Sequence, residues 1–99
     1  VGLPKGVLNV VHGEGVAIGE ALVRHAAVKA VSFTGSTAVG RRIGAICGEQ
    51  LKKVSLELGG KNATIAFEDV EPREAVALVL RAAFQNAGQI CLCGSRLLV

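Results

Sequence analysis

The chain has 99 residues and contains no Met, Trp or Tyr and only three Phe. It therefore has no aromatic surface on which nucleic-acid bases would stack, and its Lys and Arg residues are scattered over several segments. No uninterrupted apolar run approaches the ~20 residues that cross a bilayer, and no secretory signal pattern opens the chain. We expect a soluble, cytoplasmic protein without nucleic-acid or membrane partners.

Met is absent altogether, the chain opens inside the loop-like VGLPKG, and it ends on SRLLV, which has the pattern of a strand. We therefore expect an internal fragment of a longer protein. Apolar residues make up 51% and charged residues 19%, whereas a soluble domain carries about 25% charge. Much of the apolar surface is expected to meet protein beyond these residues.

Cysteine is scarce, and its three copies do not suggest a disulfide framework. Cys91 and Cys93 are separated by one residue, a spacing that suits a disulfide poorly, and no second ligand pair at zinc-finger spacing accompanies them. We expect no metal site, and Cys47 lies in a predicted helix where packing is its expected role. A nucleophile and a buried small hydrophobic residue remain open for the pair.

Glycine and hydrophobic patterning divide the chain into alternating elements. Strands are predicted at 6–13, 30–35, 52–60, 63–67 and 95–99, and helices at 15–26, 36–48 and 72–84. Strands alternating with helices predict an α/β fold with a doubly wound parallel sheet and right-handed crossovers. The segment GGKN at 59–62 is the predicted domain boundary, because the strict alternation stops there.

Two strand-to-helix turns carry glycines, and the second also carries hydroxyls. The first contains Gly15 and Gly19, and the second contains Gly35, Ser36, Thr37 and Gly40. Two helix N-termini at one carboxyl edge of a parallel sheet form the crevice where such folds bind nucleotides. The alternative is a pair of capped helices without a ligand, and Ser36 would serve as N-cap in either case.

The predicted strand VSLELGG contains one carboxylate, that of Glu57. Period-two alternation places Val54, Leu56 and Leu58 on one face and Glu57 on the other. Because a carboxylate at the end of a buried strand is costly without a partner, Glu57 is either a structural acid that caps a neighbouring backbone or pairs with Lys61, or a general base. The residues alone leave both interpretations open.

Three stretches together resemble the NAD(P)-dependent aldehyde dehydrogenase superfamily: FTGSTAVG at 33–40, LELGGK at 56–61 and FQNAGQIC at 84–91. The resemblance covers essentially the whole chain. It implies a fragment of a Rossmann-like, doubly wound fold, with the C-terminal half of the NAD(P)-binding domain at 1–58 and the N-terminal part of the catalytic domain at 59–99. The fragment alone is expected to be inactive.

Carried over by position, the resemblance implies that Cys91 is the catalytic nucleophile and Glu57 the base that activates the hydrolytic water. It implies cofactor contacts for Gly15, Gly19, Gly35, Ser36, Thr37, Gly40 and Leu58, with NAD or NADP as the cofactor. The implied reaction turns an aldehyde into a carboxylic acid through a cysteine thiohemiacetal and a thioester. Cys93 falls on a variable, non-catalytic position.

The stretches GEALVRH, KKVSLELGGKNATIAFED and ICLCGSR look most similar to the branch that oxidises 2-aminomuconic or 2-hydroxymuconic semialdehydes. General aliphatic and betaine-aldehyde substrates remain open. The resemblance also implies a homo-oligomeric parent, a dimer or a tetramer. A catalytically inactive nucleotide-binding homologue is the alternative function, and a relative that transfers the thioester to coenzyme A is disfavoured by the presence of Glu57.

Overall fold

The computed structural model describes residues 2–99, and the chain divides into two compact units, Val1–Glu57 and Leu58–Val99. The predicted α/β class is confirmed. A π-helical turn, Gly15–Gly19, leads into the first helix, and a 3-10 turn, Gln85–Gly88, follows the third. The regular elements are α1 (Glu20–Arg24), β1 (Ala30–Gly35), α2 (Thr37–Glu49), β2 (Lys53–Leu58), β3 (Ala63–Ile65), α3 (Pro72–Phe84) and β4 (Arg96–Leu98).

In the first unit, β1 pairs with β2 and α2 connects them. The backbone N–H of Lys53 donates to the carbonyl of Lys29 at 3.1 Å. This hydrogen bond joins the beginnings of both strands, so the strands run in the same direction, as a helical crossover requires.

The core of the first unit forms where α1 and α2 meet. Val23, Ile46 and Cys47 are buried there, and Val31 and Ile43 pack against them. Cys47 is completely buried, which confirms its predicted packing role. The amphipathic spacing of α2 thus places one apolar stripe against α1 and β1.

In the second unit, β3 pairs in parallel with β4, with Ala63 opposite Arg96 and Ile65 opposite Leu98. The predicted helix 72–84 is confirmed as α3, with Pro72 in its first turn. The carboxylate of Glu71 caps it by accepting a hydrogen bond from the N–H of Glu74 at 2.9 Å.

The strand predicted at 6–13 is wrong. These residues form turns and irregular backbone, and the apolar side chains Val7, Leu8, Val10 and Val11 are all exposed. Within residues 2–99 the strands pair as two separate two-stranded sheets. A strand is stable only when its backbone groups are paired, and residues 6–13 have no partner strand among those described.

Helix boundaries differ from the prediction at two places. The helix predicted at 15–26 begins as the π-helical turn and ends at Arg24. Gly48 does not terminate α2, which continues to Glu49. Leu51 instead adopts the left-handed conformation with φ 54°, and the N–H of Lys52 donates to the carbonyl of Cys47 at 2.9 Å. These features define a Schellman ending with Leu51 where glycine usually stands.

Candidate active site

Cys91 lies on an exposed loop that follows a strained turn. Three consecutive residues after α3, Asn86, Ala87 and Gly88, have positive φ angles of 52°, 57° and 74°. The side-chain amide of Asn86 donates to the carbonyl of Gln89 at 3.3 Å, which stabilises the turn. Left-handed backbone at non-glycine residues is uncommon and often accompanies functional sites. The turn reverses the chain before the loop that presents Cys91 as a free, exposed thiol.

Asn62, the residue before β3, contacts the cysteine loop directly. Its side-chain amide donates to the carbonyl of Cys91 at 2.5 Å and to that of Cys93 at 3.4 Å. Asn62 is not among the predicted site residues. The only signal in the sequence is a polar amide immediately before a strand, which does not identify a partner 29 residues away.

The two thiols of the loop have different surroundings. Cys93 is 6% exposed, and its thiol lies 3.7 Å from the carbonyl oxygen of Gln85, to which it donates. Cys91 is exposed. Among the described residues, Cys93 is thus buried as a small apolar residue would be, and Cys91 is exposed.

Glu57 lies near the end of β2. Leu56 and Leu58 are half-buried and Glu57 is exposed, as the alternation predicts, but Val54, expected on the face of the two leucines, is 42% exposed. The expectation of a carboxylate at the end of a buried strand is not met in the described residues, because every residue of β2 is exposed or half-buried. Within the described residues of the first unit, the ion pairs form at Glu20, and Glu57 takes part in none of them.

Gly15 and Gly19 bound the π-helical turn and line a cavity of about 760 Å³ in the first unit. Space beside both α-carbons is open. The remaining walls are mainly apolar, with Val16, Leu22 and Phe33 among them. A glycine-lined cavity of this size allows close approach of a ligand to the backbone.

The second glycine turn forms the N-terminus of α2. The Ser36 hydroxyl accepts a hydrogen bond from the N–H of Val39 at 3.4 Å, so the predicted N-cap is confirmed. Gly35, Ser36 and Thr37 are exposed, whereas Gly40 is buried one turn along. Among the described residues, the cavity lining includes Gly15 and Gly19 but none of Gly35, Ser36, Thr37 and Gly40.

A charged cluster joins α1 to α2 at the wall of this cavity. The carboxylate of Glu20 lies 2.9 Å from the Arg24 guanidinium and 2.5 Å from that of Arg42. The pKa of the Glu20 carboxyl is lowered from its ordinary 4.5, chiefly because Arg24 donates a hydrogen bond to it, with further attraction from Arg42. The cluster keeps Glu20 ionised beside the first glycine turn.

Across residues 2–99, no helix has both the length and the apolar character to cross a membrane. In the same part of the chain, no three His, Cys, Asp or Glu residues group closely enough to hold a metal ion.

The fold and these residues define an α/β protein with parallel strand pairs, glycine-rich helix starts and one exposed cysteine on a loop. Over residues 1–99 the chain matches the sequence pattern of the Aldehyde dehydrogenase family. It is 57% identical over 98 residues to phenylacetaldehyde dehydrogenase of Pseudomonas fluorescens. It is 49% identical over 98 residues to 2-aminomuconic semialdehyde dehydrogenase of Homo sapiens. Both alignments cover 99% of this chain and 20% of the relative.

Solved structures give the same result. The crystal structure of PnpE in complex with nicotinamide adenine dinucleotide superposes with a TM-score of 0.83 at 52% identity. An NADP-dependent enzyme of E. coli superposes with a TM-score of 0.87 at 47% identity. Each comparison covers 97% of this chain and 20% of the solved chain. The chain belongs to the aldehyde dehydrogenase family, and it spans about one fifth of the length of the relatives it matches.

Proposed function

We propose that these residues are part of an NAD(P)-dependent aldehyde dehydrogenase that oxidises an aldehyde to a carboxylic acid, with Cys91 as nucleophile and Glu57 as general base. The observation that carries the proposal is the contrast within the cysteine loop: Cys91 is exposed, and Cys93 is buried. An accessible thiol on a loop anchored by backbone contacts suits attack on a small carbonyl compound.

At the thiol, the thiolate of Cys91 adds to the aldehyde carbon and forms a thiohemiacetal. Loss of hydride from that carbon leaves a thioester on the same sulfur. The backbone N–H of Cys91 would donate to the transient oxyanion, a role worth about 2.7–4 kcal/mol where a single donor has been removed elsewhere. Cysteine suits this chemistry because its thiolate is a strong nucleophile near neutral pH.

Hydrolysis of the thioester needs a base. Glu57 would accept a proton from water, which then attacks the thioester carbonyl and releases the carboxylic acid and the free thiol. Support comes from the exposure of Glu57 on the polar face of β2, where water reaches the carboxylate. A structural acid would be expected to have a fixed partner instead.

The residues present fit a dinucleotide cofactor. Space beside Gly15 and Gly19 is open, so a ligand would approach the backbone there, in a cavity that Glu14 and Glu20 also line. The first turn of α2 contains no acidic residue, so phosphate oxygens would approach the backbone N–H groups of α2. In the proposed enzyme, Gly35, Ser36, Thr37, Gly40 and Leu58 complete the cofactor contacts. The bound cofactor would accept the hydride. NAD and NADP remain equal candidates, since solved relatives are described with each.

The domain assignment belongs to the same proposal. Residues 1–58 would form part of the nucleotide-binding domain and residues 59–99 the beginning of the catalytic domain. The division between the two compact units lies one residue from this boundary. Membership of a homo-oligomer and a cytoplasmic location are proposed with it.

The proposed substrate is an aldehyde of one of the kinds for which the relatives are named. The 57% identity to a phenylacetaldehyde dehydrogenase exceeds the 49% to a 2-aminomuconic semialdehyde dehydrogenase. We therefore widen the muconic expectation to include aryl-substituted aldehydes. The panel of test aldehydes also includes succinate semialdehyde and betaine aldehyde, because the chain is 47% and 46% identical to dehydrogenases named for them.

The test uses the full-length enzyme that carries these residues. Reduced nicotinamide is measured with each aldehyde of the panel and with NAD or NADP in turn, for the wild type and for Cys91→Ala. The proposal expects turnover with at least one pair and its complete loss in the variant. A matched control is Cys93→Ala, which removes the neighbouring thiol and is expected to retain turnover.

Three outcomes would contradict the proposal. Activity that survives Cys91→Ala would exclude this thiol as nucleophile. A wild type that binds cofactor but turns over no aldehyde would favour the second candidate, a nucleotide-binding homologue without catalysis. A product that requires coenzyme A would instead indicate thioester transfer and would remove Glu57 from its role.

A further inference from the structure

We propose that Asn62 is a positioning residue for Cys91: its side-chain amide fixes the loop that presents the thiol. The inference rests on the proposed function, because it concerns the same nucleophile. Its starting observation is the pair of hydrogen bonds from one amide to the carbonyls of Cys91 and Cys93, at 2.5 Å and 3.4 Å.

Asn62 is itself held by the sheet. Its carbonyl accepts a hydrogen bond from the N–H of Arg96 at 3.1 Å, and the Arg96 guanidinium donates to the carbonyl of Lys61 at 3.0 Å. Residues 61 and 62 are therefore tied to the beginning of β4 from two directions. A side-chain donor whose own backbone is held by the sheet restrains the position of the carbonyl group to which it donates.

The backbone hydrogen bonds of the loop close a turn around Cys91 without binding a polar atom of Cys91 itself. The N–H of Cys93 donates to Ile90 and that of Gly94 donates to Ala82, both at 3.0 Å. These bonds hold the turn and the exit of the loop. The hydrogen bond that reaches Cys91 comes from Asn62, and it fixes the orientation of the peptide that follows the thiol-bearing carbon.

Fixing that peptide matters for chemistry because attack requires the sulfur to meet the carbonyl carbon along a narrow range of directions. A displacement of about 1 Å at a reacting group costs about 10²-fold in rate. Cys91 is exposed, so side-chain packing does little to restrict it. The amide of Asn62 adds a restraint at the carbonyl of Cys91 itself.

Ser95 offers a matched control. Its hydroxyl donates to the carbonyl of Cys93 at 3.4 Å, the same acceptor that receives the longer bond from Asn62. Ser95→Ala removes a hydrogen bond from this loop without altering the one at Cys91. The variant Asn62→Asp keeps the size of the side chain but replaces the donor with an acceptor that faces carbonyl oxygens.

The experiment compares full-length wild type, Asn62→Asp, Asn62→Ala and Ser95→Ala. It measures the rate of iodoacetamide alkylation at Cys91 by peptide mass spectrometry, the burst of reduced nicotinamide, and kcat and KM for the aldehyde. Both Asn62 variants are expected to lower the burst rate roughly tenfold or more and to leave KM within about twofold, since misplacement affects the reaction more than binding. Ser95→Ala should change neither the burst rate nor KM by more than about twofold.

Equal losses in the Asn62 and Ser95 variants would overturn the proposal, because they would indicate general loosening of the loop. Burst and alkylation rates that match the wild type in Asn62→Ala would also overturn it. Asn62→Ala introduces no carboxylate, so it supplies the decisive comparison if Asn62→Asp fails to fold. If the wild type oxidises no aldehyde but alkylation still changes in the Asn62 variants, the proposed function fails and the positioning role stands.

Discussion

The side-chain amide of Asn62 lies 2.5 Å from the carbonyl oxygen of Cys91, across 29 positions of the chain. This contact links the beginning of β3 to the loop after α3. It joins the segment that follows LELGGK to the segment FQNAGQIC, the two stretches with the most specific resemblance to the family. Within the second unit, this hydrogen bond therefore places Asn62 next to the cysteine loop.

Cys93→Ala in the full-length enzyme is expected to leave turnover near the wild-type value and to lower the free energy of unfolding by about 1 kcal/mol. The reason is that Cys93 is 6% exposed and packs as a small apolar residue. Turnover and urea unfolding measure the two effects. A loss of turnover as large as that of Cys91→Ala would contradict the separation of roles.

Glu57→Gln is expected to leave a burst of reduced nicotinamide followed by slow turnover. Glutamine cannot take a proton from water, so the thioester would form at its usual rate and hydrolyse slowly. Rapid-mixing kinetics distinguish the two phases. The control is Ser55→Ala, on the same exposed face of β2, which should retain both the burst and the steady-state turnover. Unchanged steady-state turnover in Glu57→Gln would show that the carboxylate is not the base.

Leu51→Gly is expected to stabilise the protein by up to about 1 kcal/mol, because relief of the left-handed strain exceeds the added entropy of the unfolded chain. Leu51 has φ 54° and its side chain is 94% exposed, so little packing is lost. The midpoint of urea unfolding measures the change. Gln50→Gly is the control: Gln50 has φ −101°, so glycine should destabilise there, and equal effects at the two positions would refute the explanation.

Glu20→Gln is expected to lower the melting temperature slightly at neutral pH and to have no effect in strong acid. The folded-state pKa of Glu20 lies below its ordinary 4.5, so its carboxylate contributes stability above that pH and loses it as the pH falls through the lowered value. Melting curves of both proteins at low salt test this. A difference that persisted or grew in acid would contradict the assigned ion pairs.

The sequence predicted local structure well where the residues that start a helix lie within or next to that helix. Pro72 and the neighbouring acids define the beginning of α3, and the hydroxyl of Ser36 defines that of α2, because caps act on the nearest backbone groups. It failed at residues 6–13. An apolar, valine-rich run predicts a strand, but a strand also needs a neighbour to pair with, and that neighbour is not specified by the run itself.

The sequence by itself determined the family, because the LELGGK and FQNAGQIC stretches and their spacing are read without coordinates. It did not determine which of two thiols is accessible, how α2 ends, or that Asn62 contacts the cysteine loop. Those features were decided by tertiary structure. Burial and hydrogen bonding between distant segments depend on how the backbone brings them together, and no local pattern of side chains encodes that approach.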